Sequence, residues 1–94
     1  MVKIRAYIKL YLGGRKTPFF TGYRPLFTFI EGMKTSGSID LIGRDKFFPG
    51  DEGEVDITFL HVEYLGEDFK EGKRFAFSEG SESLGEGIVK HIII

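Results

Sequence analysis

Among its 94 residues the chain has no cysteine. That excludes disulfides, thiolate metal centres and a cysteine nucleophile, and it suits a reducing compartment. A surplus of positive charge is missing as well: 13 Lys and Arg stand against 14 Asp and Glu, a formal net charge of −1. Phosphate binding usually rests on such a surplus, so only a local basic patch would support nucleic-acid recognition. Nowhere does an apolar run approach the roughly 18 consecutive residues of a membrane-spanning helix, so no membrane association is expected. The opening Met1-Val2-Lys3-Ile4-Arg5 lacks the apolar centre of a secretory signal, which gives the cytoplasm as the expected location.

The signatures of catalysis are also missing. There is no Gly-x-Ser-x-Gly elbow to expose a nucleophile. No Gly-x-x-x-x-Gly-Lys-Ser/Thr loop is present to cradle a nucleotide. Gly85-Glu86-Gly87 lacks the third glycine of a dinucleotide fingerprint and lies in a strand pattern. His61 and His91 both fall in strand patterns, without the neighbouring ligands of a metal site. Asp51, Glu52 and Glu54 are too few for a calcium loop, and Glu67, Asp68 and Glu71 read as a solvated acidic loop. The expectation is a protein that is not an enzyme and that carries no metal or cofactor.

What the chain does have is aromatic and apolar content, with ten Phe, four Tyr and 41% hydrophobic residues. One domain of this size buries roughly 60–65% of its unfolded surface, enough for a modest core. Residues 2–12 alternate, with Val2, Ile4, Ala6, Ile8, Leu10 and Leu12 on one face, as in a half-buried strand. Further strands are expected at 26–31, at about 38–42 after a polar turn over 32–37, at 53–65, at 73–79 and at 84–94. Within 53–65 the apolar phase slips after Phe59, so a bulge or bend is expected near Phe59–His61. Gly85 and Gly87 predict a bend or a close backbone approach in the last strand. Six strands, frequent turn signals and no helical period indicate an all-β antiparallel barrel or sandwich.

Between the first two strands lies Gly14-Arg15-Lys16-Thr17-Pro18-Phe19-Phe20-Thr21-Gly22-Tyr23-Arg24-Pro25. Its glycines and prolines break any helix or long strand. Two readings stand side by side. Either Phe19, Phe20 and Tyr23 fold back as a plug and leave Arg15, Lys16 and Arg24 in water, or the cations reach phosphates while a ring sets position.

This segment resembles the signature of domain 3 of bacterial elongation factor Tu. The likeness continues through Thr35-Ser36-Gly37-Ser38-Ile39, Pro49-Gly50-Asp51, Leu60-His61 and the closing Arg74-Phe75-Ala76-Phe77 with Glu79-Gly80, Ser83-Leu84-Gly85 and Gly87-Ile88-Val89. It covers the chain in order. The resemblance implies a small closed six-stranded antiparallel β-barrel as a single domain over residues 1–94. It also implies a role around translation, since that domain contacts the T stem of aminoacyl-tRNA and the exchange factor Ts. The family's GTPase domain and second barrel have no counterpart here, so GTP binding is not inherited. By position, the resemblance assigns tRNA or partner contacts to Arg15, Lys16, Arg24, Ser36, His61, Glu79 and Gly80. Departures occur at Leu26, where the family has a Gln, and at Ser78 and Glu82, where it has arginines. These changes shift the local charge by about three units, and with roughly one unit of logarithmic salt slope per phosphate contact they weaken RNA binding. The expectation is a divergent, freestanding binding module that docks a translation-associated protein. Weak tRNA binding and a barrel subunit of a split translation GTPase are the alternatives.

Overall fold

The computed structural model describes all 94 residues. Six strands, β1 (Val2–Leu10), β2 (Leu26–Ile30), β3 (Met33–Leu41), β4 (Glu52–Phe59), β5 (Arg74–Glu79) and β6 (Glu82–Ile92), close into an antiparallel barrel. Around the barrel the order is β1-β4-β3-β2-β5-β6. Closure leaves no open sheet edge along the paired length. There is no α-helix, only a single 3-10 turn at Val62–Tyr64, and so no helix long and apolar enough to cross a membrane.

Period-two alternation explains the barrel wall. Ile4, Ala6, Ile8 and Leu10 point inward from β1 and are all buried. Register carries this face around the barrel: Ile4 pairs with Ile57, which pairs with Ile39, while Ala6, Val55 and Leu41 form the next row. Another inner row runs Thr35–Phe27–Phe77–Gly85–Leu10 across five strands. The centre is aromatic, with Phe27 edge-on to Phe59 at 5.2 Å and Phe29 edge-on to both Phe59 and Phe69. Each such ring contributes about 1.5–3 kcal/mol by leaving water. Rings of this size need space, and the glycines of β6 supply it. A Cβ at Gly85 would sit 2.5 Å from Phe77 Cζ and collide with the Lys9 carbonyl, and one at Gly87 would sit 2.5 Å from Phe75 Cζ. The close approach expected at these two positions is therefore present.

Several boundaries differ from the sequence reading. The turn expected over 32–37 shrinks to Glu31–Gly32, and β3 starts at Met33. Its polar residues deceived because β3 uses Thr35 and Gly37 as inward positions beneath Phe27 and Phe59. Leu12 is not on the inner face: β1 ends at Leu10, and Leu12 is 79% exposed. Of the bulge or bend expected near Phe59–His61, the bend is present, at Leu60, but it ends β4 at Phe59 instead of lying within a strand that runs to residue 65, and the chain goes on through the Val62–Tyr64 turn. Register irregularities fall elsewhere, between β1 and β6 at Arg5/Ala6, between β2 and β3 at Thr28/Ile30, and between β5 and β6, where Ser78 pairs with Ser83 and Leu84 is the extra residue. Gly80–Ser81 alone makes that hairpin turn, and Gly80 adopts φ 60°, as a two-residue turn with glycine first requires.

Candidate functional site

Antiparallel closure brings the ends of β1, β3 and β5 and the starts of β2, β4 and β6 to one end of the barrel. Two long connections meet there, Tyr11–Pro25 and Ile42–Asp51, together with the Gly80–Ser81 turn. β1 and β2 are not neighbours, so the first connection must cross the barrel end. Gly14 passes against Ser83 and Leu84 so closely that a Cβ there would meet the Ser83 carbonyl at 2.7 Å. Farther along, Phe19 and Phe47 exchange backbone hydrogen bonds of 3.0 and 2.9 Å, and Tyr23 bridges to Ile39.

These anchors build an aromatic column. Tyr23 stacks on Phe19 at 4.8 Å, and Phe19 stacks on Phe47 at 5.2 Å. Each terminal ring carries a guanidinium, Arg15 at 4.6 Å from the Tyr23 centroid and Arg44 at 4.8 Å from the Phe47 centroid. Each guanidinium also has a carboxylate, Glu79 at 3.1 Å for Arg15 and Asp51 at 3.6 Å for Arg44. The Tyr23 hydroxyl donates to the same Glu79 oxygen at 2.5 Å, and Arg15 Nε donates to the Thr17 carbonyl at 2.9 Å. Burial, then the hydrogen bond to Glu79, pushes the Tyr23 phenol up to about 12. Phe19 and Tyr23 therefore belong to the plug. Phe20 does not, although it adjoins Phe19: alternation along the bridged segment turns it outward, and it is 54% exposed.

The residues singled out by sequence divide into groups. Arg15, Glu79 and Gly80 come together, with Lys34 Nζ donating to the Gly80 carbonyl at 3.1 Å. Arg15, Glu79 and Glu82 line an open depression of about 170 Å³ with Gly14 and Leu84. Glu82 faces Glu79 directly across the hairpin, so this depression is acidic. Ser36 lies in register with Leu26, which lies in register with Ser78, an uncharged row beside the cluster. Lys16 and Arg24 are exposed on the crossing loop and form no ion pair. His61 is exposed just beyond β4, at the strand end opposite the loop cluster, and makes no side-chain hydrogen bond. Sequence reasoning missed Arg44, Lys46, Phe47 and Phe48. Their signal was present, since Phe47-Phe48 before Pro49 mirrors Phe19-Phe20 after Pro18, and paired Phe residues in two loops suit one bridge.

No group of three or more His, Asp or Glu side chains is arranged to hold a metal ion. Scanned against protein-family models, the chain has no match.

Proposed function

We propose that this barrel is a non-enzymatic binding module related to domain 3 of elongation factor Tu, and that it docks a translation-associated protein in the cytoplasm without binding GTP. The observation that carries the choice of a protein over RNA is the state of Arg15. This is the cation that the resemblance would aim at a T-stem phosphate. Here it is held by Glu79, the Thr17 carbonyl and the Tyr23 ring. A phosphate must displace an internal carboxylate to reach it, beside the further negative charge of Glu82. The neighbouring row of Ser36, Leu26 and Ser78 offers no cation at all.

The second reading, weak binding to an RNA backbone, is favoured by Lys16 and Arg24, which are exposed and unpaired. An electrophoretic shift of tRNA, run across a salt series, separates the two. The protein reading expects no retarded band at physiological salt. A band at physiological salt that Lys16→Glu or Arg24→Glu abolishes transfers the function to RNA. In parallel, the tagged chain is expected to recover a translation component, and consistent failure to do so counts against the assignment to translation.

A further inference from the structure

The loop end carries a second surface, on the outer side of the Phe19–Phe47 bridge. Because both rings of that bridge turn inward, the flanking side chains turn outward. Phe20 and Phe48 each follow a bridged residue and so flank the bridge on that side. They are 54% and 50% exposed. Lys46 stands opposite Phe20, its ammonium 5.9 Å from the ring centroid. Leu12 lies against Gly50, two residues past Phe48, and Ile42 is exposed just past β3. The backbone here is fixed: Thr21 Oγ1 accepts from Leu41 N–H at 2.9 Å, and Asp51 accepts from Phe48 N–H at 2.9 Å. Single exposed apolar residues are ordinary, whereas several gathered on two interlocked loops mark an interaction surface.

The charge of the two long loops is one-sided, although Glu79 and Glu82 stand at the same barrel end beside Gly14 and Arg15. The two long loops hold Arg15, Lys16, Arg24, Arg44 and Lys46 against only Asp45 and Asp51, in a chain whose net charge is −1. Arg15 and Arg44 are consumed by internal carboxylates, while Lys16, Arg24 and Lys46 have none. Lys46 stands on the apolar face itself, Lys16 and Arg24 are exposed on the loop that carries Phe20, and cations so placed on a negative protein attract an acidic partner.

We propose that this face docks an acidic protein segment with interspersed apolar side chains. Phe20 and Phe48 take the apolar groups, and Lys16, Arg24 and Lys46 take the carboxylates. The proposal rests on the protein-partner reading above and specifies its surface. Nucleic acid fits less well, because bases stack on rings and gain little from the aliphatic Leu12 and Ile42.

The test is an amide NMR titration of the labelled full chain with a synthetic peptide that alternates Asp or Glu with Leu or Phe. A matched peptide with Asn and Gln in place of the acids, and a single-stranded RNA oligonucleotide, serve as the other arms. Shifts confined to the two loops are expected, with binding at least about tenfold weaker for the amide peptide, a loss of about 1.4 kcal/mol. Lys46→Glu and Phe48→Ser are each expected to weaken the acidic peptide by a similar factor. Both positions are exposed, and unchanged amide dispersion verifies that each variant is folded. Shifts that map elsewhere on the barrel, or none at millimolar peptide, overturn this surface and leave the protein-partner reading to the tRNA experiment. Loop shifts produced by RNA at lower concentration than by peptide overturn both.

Discussion

Replacing Glu79 by Gln should lower the Tyr23 phenol pKa and weaken the plug that closes the barrel end. In the native protein the phenol is raised from 10 to about 12, first by burial and then by donation to Glu79. A raised phenol pKa means that the unfolded chain gives up this proton first. The stability contributed by protonated Tyr23 is therefore intact below pH 10 and is lost as the pH climbs from 10 towards 12. The nominal two-unit shift corresponds to about 2.7 kcal/mol, and partial exposure of the ring reduces this by solvent screening to about 1–2 kcal/mol. Glu79→Gln removes the charged acceptor, so that burial alone is left to raise the pKa against Arg15, which lowers it. Tyr23 should then titrate closer to 10, and at neutral pH the variant should lose about 1 kcal/mol through the weakened hydrogen bond and ion pair. The assay is a tyrosine-ring carbon NMR titration, assigned with Tyr23→Phe, alongside urea unfolding at neutral and alkaline pH. The reasoning fails if native Tyr23 titrates near 10, or if Glu79→Gln leaves its midpoint in place.

The remaining expectations concern the barrel itself. Gly85→Ala should cost about 3 kcal/mol or more, because the new methyl meets both the Lys9 carbonyl and the Phe77 ring, whereas Gly13→Ala has nothing within 4 Å and should change stability by less than about 0.5 kcal/mol. Urea midpoints measure both, and equal effects at the two sites would show that the glycine does not make room for the ring. Thr35→Val should be neutral or stabilising by up to about 1 kcal/mol, because Thr35 Oγ1 is buried without a partner; a loss above about 1 kcal/mol would reveal a hydrogen bond to that oxygen. Lys73 donates to Asp68 at 2.7 Å and holds its carboxyl below the ordinary 3.8, a contribution present above that pH and lost as the pH falls through the lowered value. Lys73→Met should let Asp68 return towards 3.8 in a carboxyl NMR titration, and an unmoved midpoint would refute the pairing.

Barrel walls were legible because their physics is local. Alternation in Val2–Leu10 and in Val55, Ile57 and Phe59 identifies strands whatever they pair with. Glycines at 85 and 87 announced close packing without naming the rings involved, since the Phe77 and Phe75 that fill those gaps arrive from a different strand. Thr35 and Gly37 read as a turn by composition, and only their place beneath the Phe27 and Phe59 rings makes them inner-face residues of β3. The Gly14–Pro25 segment was legible as aromatic and basic, but the roles of its members were not. Phe19 and Phe20 are adjacent and chemically identical, and a single bridge to Phe47 sends one into the core and leaves the other in water.

By itself, then, the sequence determined an all-β barrel or sandwich of six strands, the lack of cysteine chemistry and of nucleotide-binding motifs, and one loop rich in rings and cations. Each of these follows from residue type and short-range spacing. Tertiary structure decided that the sheet closes, that Phe47 joins Phe19 in the plug, and which cations remain available. Arg15 and Lys16 are neighbours with the same charge, yet Glu79, 64 residues away, engages only Arg15. Electrostatic availability is set by what stands within a few ångströms, and that proximity exists only after β5 has been brought to the loop.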